Sequence, residues 1–170
     1  MKKIGLIGEA PNDTYAIKNL LIQKLENEVE FIEMIKNIRG SNLDNQKTKH
    51  RLRKNYERLK PDLVIIIRDL DGLENETEKL RIRKEYFSNS NRVIDKKGIF
   101  LLHIFEIEAI ILADIKTFNE EYNCEIIYSG DPMEEEEPKE FLMSKSKYKE
   151  SDCPELFKKL EIDTVIDMQI

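Results

Sequence analysis

No tryptophan occurs in this chain, and its only cysteines, Cys124 and Cys153, stand far apart with no C-x-x-C spacing. That pattern excludes a thiolate zinc ribbon or a redox dithiol, and leaves two reduced thiols as the expectation. Six glycines and five prolines in 170 residues are too few for a fibrous or linker-like chain. Long apolar runs are also missing. Leu63 to Ile67 and Ile99 to Ile104 are strand-sized, far short of the ~20 residues that cross a bilayer, so no membrane partner is expected. The apolar opening stops at Glu9, too early for a signal peptide, which makes the cytoplasm the expected location. Excess positive charge is absent too: the net charge of -6 argues against a protein that coats nucleic acid through its overall field.

Charge is plentiful but uneven. Between Lys36 and Lys60 lie Arg39, Lys47, Lys49, His50, Arg51, Arg53, Lys54 and Arg58, opposed by Asp44 and Glu57, whereas acids collect later, most densely at Glu134 to Glu137. The basic stretch suits a phosphate-binding edge and a solvated helix face equally well. With 40% hydrophobic residues, a chain of this length buries the core of one domain, residues 1–170, with an extension from about residue 119 where the pattern blurs.

Strand-like and helix-like segments alternate. Lys3 to Gly8 reads as a buried strand, and Asn12 or Asp13 is placed to cap a helix from about Thr14 to Leu25, whose Ile17, Leu20, Leu21 and Leu25 recur at helical spacing. A second strand is expected over Glu30 to Met34, a chain break at Gly40-Ser41-Asn42, and a helix through Leu52, Tyr56 and Leu59 that ends before Pro61. The β-branched run Leu63 to Ile67 is of the kind buried on both faces. Glu74 to Phe87 then looks helical, Ile99 to Ile104 reads as a buried strand, and Phe105 to Asp114 is helix-like. A short helix, a strand at Glu125 to Tyr128, an acidic loop and a helical ending from Pro138 complete the reading. The alternation predicts an α/β fold: a mainly parallel sheet with helices on both faces.

Ligands bind at the carboxyl ends of the strands in such a sheet. Three strand ends here carry acids: Glu9, Asp69 with Asp71, and Glu106 with Glu108. Converging carboxylates repel one another unless a cation neutralises them. An oxygen-only ligand set selects Mg2+ or Mn2+, and two such ions suit phosphodiester cleavage. Glu106 and Glu108 cannot both face one way if their segment is extended, so one of them is expected to be structural. His103 reads as a core-edge residue, with metal ligation or proton transfer as the alternative. Lys145, Lys147 and Lys149 offer cations for a scissile phosphate, or else form an ordinary exposed basic segment.

Order and spacing of these segments resemble the Toprim family, the metal-binding domain of topoisomerases, bacterial primases and OLD-family nucleases. Gly5-Leu6-Ile7-Gly8-Glu9-Ala10-Pro11-Asn12-Asp13 is similar to the family's opening strand and glutamate, and Val64-Ile65-Ile66-Ile67-Arg68-Asp69-Leu70-Asp71-Gly72 to its Asp-x-Asp strand end. The resemblance implies a Toprim-like fold, with Glu9 as the catalytic glutamate and Asp69 and Asp71 as magnesium ligands. Asp13 matches a second acid of OLD-like members. Phe105 to Asp114 resembles a block in small standalone Toprim-like proteins, several of them near phage-defence systems. The stretch Pro138-Lys139-Glu140-Phe141-Leu142, then Lys147-Tyr148-Lys149, resembles their lysine-bearing tail. Ala10 departs from the glycine usual after the glutamate. The chain also lacks the ATPase domain of OLD proteins and the tyrosine-bearing domains of topoisomerases, so strand passage by this chain alone is not expected.

The expected activity is magnesium-dependent nuclease action on DNA or RNA, with Glu9, Asp13, Asp69, Asp71, Glu106 and Glu108 as metal ligands and Lys147 as a catalytic cation. Two other classes stay open: a non-catalytic binding module that partners an ATPase or a toxin, and a phosphotransfer or regulatory domain. A homo-oligomer is compatible with all three.

Overall fold

The computed structural model of the chain describes residues 1–36, 40–72 and 75–167. Arg39 and Glu74, both named above, lie outside them. Four parallel strands, β1 (Lys2–Ile7), β2 (Val29–Glu33), β3 (Leu63–Asp69) and β4 (Gly98–His103), form one sheet in the order β2-β1-β3-β4. Helix α1 (Pro11–Leu25) links β1 to β2. Helices α2 (Gly40–Leu43) and α3 (Gln46–Leu59) link β2 to β3, and α4 (Thr77–Val93) links β3 to β4. The expected α/β architecture is the one observed.

The order reverses beside β1: the chain moves outward to β2, then returns across β1 to β3. Right-handed crossovers therefore put α1 on one face and α3 and α4 on the other. Two cores result. Ile4, Leu6, Ile65 and Ile67 face Ala16, Ile17 and Leu20 of α1, while Ile7, Val64 and Ile66 face Leu52 and Tyr56 of α3 and Tyr86 of α4.

The later chain consists of α5 (Ala109–Ala113), α6 (Ile115–Tyr122), α7 (Pro138–Lys145), α8 (Cys153–Leu156) and α9 (Ile162–Asp167). It packs into the α1 core through Phe118, Leu142, Tyr148, Phe157 and Leu160. Polar clasps fix it there, because Asn19 Nδ2 donates to Pro154 O at 2.6 Å and Gln23 Nε2 to the carbonyls of Phe157 and Leu160 at 3.0 Å.

Local expectations fail at several places. Helix α1 begins at Pro11, where a fixed φ suits the first helical position, rather than at Thr14. The Gly40 segment forms a short helix instead of a break. Glu125 to Tyr128 is not a strand, because the Asn119 side chain takes both main-chain groups of Ile126: Oδ1 accepts from the amide at 2.9 Å and Nδ2 donates to the carbonyl at 2.8 Å. Finally, β4 is an edge strand with Ile99 48% exposed, not the buried strand expected.

Candidate active site at the carboxyl ends of β1 and β3

The sheet's switch point lies between β1 and β3, where helices leaving on opposite faces open a crevice beyond the strand ends. A cavity of about 130 Å³ sits there, and Glu9, Asp13, Asp69, Glu106, Glu108 and Glu150 all line it. Five of these six acids were anticipated from the sequence.

Each is held by local chemistry. Gly8 lets the start of α1 close onto the strand end, since a Cβ there would stand 3.2 Å from Thr14 Cγ2 and 3.3 Å from Asp13 Cβ. Asp13 then reaches back to accept from the Ala10 amide at 2.8 Å, closing the first turn from the third helical position. Glu9 bridges the two strands: its Oε1 lies 2.6 Å from Arg68 Nε and 3.4 Å from the Asp69 amide. The Arg68 contact is ionic, because neither Nε nor Nη1 has a hydrogen-bond partner among the described residues. Asp44 stands 3.6 Å from the same guanidinium.

Beyond β3 the main chain continues alongside the end of β4, with Leu70 N donating to His103 O at 2.7 Å. Asp71 takes a left-handed φ of 58°, a conformation an aspartate tolerates. Its exposed carboxylate turns toward Arg83, 2.6 Å away, and does not line the cavity. Arg83 also donates to Asp69 O at 2.8 Å, so one arginine fixes both ends of the Asp-x-Asp turn.

Glu106 and Glu108 both line the cavity, because their segment is a tight turn. Ala109 N donates to Glu106 O at 3.1 Å and Ile111 N to Glu108 O at 2.9 Å. Glu106 pairs with Lys139 at 2.8 Å and keeps a buried Oε2 without a hydrogen-bond partner among the described residues. Glu108 is buried and accepts from the Tyr148 hydroxyl at 3.3 Å.

Among the described residues, the cation that lines the cavity is Lys139, on α7. Lys145, Lys147 and Lys149 are exposed and do not line it. The sequence names Lys139 only within the stretch that resembles a lysine-bearing tail and assigns the phosphate cation to Lys145, Lys147 or Lys149 instead, although Pro138, at the first position of α7, marks where the helix starts. Glu150 and Cys153 were also missed. The basic residues of α3 stay outside the cavity as well; His50, Arg51, Lys54 and Arg58 are exposed beside buried Leu52 and Tyr56. His103 is buried in the sheet, where desolvation pushes its pKa down to about 4 and its Nε2 has no partner among the described residues.

Crowding and burial raise the acids. Asp69 is pushed up to about 9, first by burial and then by the charges of Asp13, Glu9, Asp71 and Glu108. Burial takes Asp13 to about 6 and Glu108 to about 7. Glu9 is raised by burial, with Arg68 opposing the rise. At neutral pH the cavity therefore holds protons that a divalent cation would displace. The oxygen donors of the cavity's acids, with a buried Glu106 oxygen unpartnered among the described residues, fit a hard ion. Among the described residues, however, no three Asp, Glu, His or Cys side chains already stand in a coordinating arrangement. Glu9 and Glu106 are instead drawn to Arg68 and Lys139.

No family model matches the chain, and no curated protein and no solved structure matches it.

Proposed function

We propose that the protein is a divalent-metal-dependent nuclease of Toprim type that cleaves phosphodiester bonds in DNA or RNA. The observation that carries this reading is the convergence of Glu9, just beyond β1, and Asp69, at the end of the adjacent parallel strand β3, with Asp13, Glu106 and Glu108 around one cavity. Asp69 at about 9 makes that convergence costly when no cation is bound. Nearness of the glutamate after β1 to the Asp-x-Asp after β3 is also what the family resemblance implies.

Glu9, Asp69, Asp13, Glu106 and Glu108 would hold Mg2+ or Mn2+. The bound ion supplies Lewis acidity and a water acidic enough to act as nucleophile. Arg68 orients the Glu9 carboxylate, and Arg83 fixes the turn that carries Asp69 and Asp71. Asp69 would hold such an ion in its ionised form, with its proton released to solvent. Lys139 faces the same space and provides an ammonium for negative charge developing on the phosphate.

The test is incubation of purified protein with single- and double-stranded DNA and RNA, in Mg2+, Mn2+ or chelator. Metal-dependent cleavage that is lost in Glu9→Gln and Asp69→Asn is expected. No cleavage of any substrate, or cleavage untouched by both substitutions, overturns the proposal.

One observation favours a second reading, a non-catalytic module that binds an ATPase or toxin partner. Glu9 and Glu106 are already matched by Arg68 and Lys139, so the cavity is partly neutralised from within. Partner binding that survives Asp69→Asn, together with inert protein in the nuclease assay, is the outcome that selects it.

A further inference from the structure

The two edges of the sheet differ in character. Edge strand β2 reads Val29-Glu30-Phe31-Ile32-Glu33, with two carboxylates of the kind that block edge-to-edge pairing. Edge strand β4 reads Gly98-Ile99-Phe100-Leu101-Leu102-His103, and its one ionisable side chain, His103, is buried. Nothing in that sequence protects the open side.

Main-chain direction follows from the ladder. Lys97 O accepts from Val64 N at 2.8 Å and His103 O from Leu70 N at 2.7 Å, so the odd-numbered residues between them bond to β3. Alternation then aims the amides and carbonyls of Gly98, Phe100 and Leu102 outward. The Gly98 amide is capped by Asn91 Oδ1 at 2.8 Å, whereas Phe100 and Leu102 meet no side-chain or loop partner among the described residues.

Both faces of this edge are apolar. On one, Ile99 and Leu101 line an open groove of about 240 Å³ with Leu20, Leu21, Ile65 and Val165. On the other, Phe100 is partly exposed and stacks on Phe87 at 4.9 Å between ring centres.

We infer that β4 is a dimerisation strand, pairing antiparallel with β4 of a second copy about a two-fold axis and joining the two sheets into one. The reasons for a second copy are internal to the strand. Pairing centred on Phe100 exchanges Phe100 N–H···O=C bonds in both directions and sets Leu102 N–H against the Gly98 carbonyl of the other copy, the carbonyl whose amide is already capped. It also puts Ile99 opposite Leu101 of the other copy, so that the two grooves meet and each copy covers the exposed isoleucine of its mate. No like charges come face to face. In this register Lys97 faces the buried His103 and Lys96 faces Ile104 of the other copy, so the pairing is self-complementary and isologous. This inference goes beyond the proposed nuclease reading and does not rest on it.

Sedimentation of the full chain across the micromolar range tests it, alongside the Ile99→Lys variant and circular dichroism of both. The expected result is a wild-type species of twice the 20.1 kDa chain mass and a folded variant whose self-association is weaker by about tenfold or more. Amide exchange in the wild type keeps the idea testable should the variant not fold: the outward amides of Phe100 and Leu102 are expected to be protected, and increasingly so with protein concentration. A wild-type monomer throughout the range, whatever else binds the strand, overturns the inference. So does a dimer indifferent to Ile99→Lys, or fast exchange at both amides in a dimer.

Discussion

Arg68 Nε stands 2.6 Å from Glu9 Oε1, and its guanidinium carbon lies 4.8 Å from the centre of the Tyr86 ring. The arginine side chain is 4% exposed, so this cation belongs to the interior even though it comes one residue before the Asp-x-Asp turn. Its placement links the α4 face of the sheet to the cavity, because the ring that supports it comes from α4 and the carboxylate it holds comes from the end of β1.

Loss of that cation should be costly. Arg68→Met leaves Glu9 without its counter-ion and is expected to destabilise the fold by about 3 kcal/mol, the low end for breaking a buried pair, since Glu9 itself is 22% exposed. Urea denaturation measures it. Adding Glu9→Gln to Arg68→Met should recover part of the loss; a double variant as unstable as the sum of the two singles would show that the residues are not coupled.

Stability without divalent cations should fall as pH rises. Asp13, Glu108 and Asp69 have folded-state pKa values of about 6, 7 and 9, above the 3.8 to 4.5 of the free side chains. An acid raised on folding contributes stability that is complete below its unfolded pKa and is lost as pH climbs through its folded value. The decline should therefore run from about pH 4 to about pH 9. Asp69→Asn should flatten its upper part and melt at a higher temperature than wild type at pH 8. A wild-type melting profile that rises over this interval contradicts the assignment. Mg2+ or Mn2+ should restore the wild type above pH 7 and do little for the variant.

Lys139 and Lys147 separate cleanly by activity. Lys139→Met removes the one lysine that lines the cavity among the described residues and should cut turnover about 10²-fold or more. Lys147→Met, at an exposed position, should leave turnover within about twofold, the effect of an ordinary surface change. Equal losses in the two variants would remove Lys139 from its proposed role.

The later helices should unfold together with the sheet. Leu142 is fully buried in the same core as Ile4 and Ile65, so Leu142→Ala is expected to cost about 2–5 kcal/mol within a single cooperative transition. Calorimetry distinguishes this from a separate low-temperature transition of the C-terminal third.

What could be read in advance was whatever is encoded locally. The runs before Glu9 and Asp69 announce buried strands, and an acid immediately beyond such a strand has to sit at the sheet's edge. Asp71 was anticipated beside the other acids but turned to Arg83, twelve residues on, in a contact that no local pattern contains. Lys139 was hidden for the same reason, since its partner Glu106 lies 33 residues earlier and meets it only once α7 docks. Glu125 to Tyr128 misled because the apolar pair Ile126-Ile127 looks like a strand, while the hydrogen bonds that decide the matter come from a single side chain, Asn119. The depth of β4 was misjudged because composition reports apolarity and not whether a further strand lies alongside.

Asp13 has two employers. It closes the first turn of α1 through the Ala10 amide and also forms a wall of the cavity, at a carboxyl group whose pKa of about 6 lies close to physiological pH. Whatever changes its ionisation, whether a bound cation or a shift in acidity, also changes the strength with which that turn is tied down. Fraying at the head of α1 thus becomes a native gauge of what the cavity contains, readable at the Ala10 amide without any attached label.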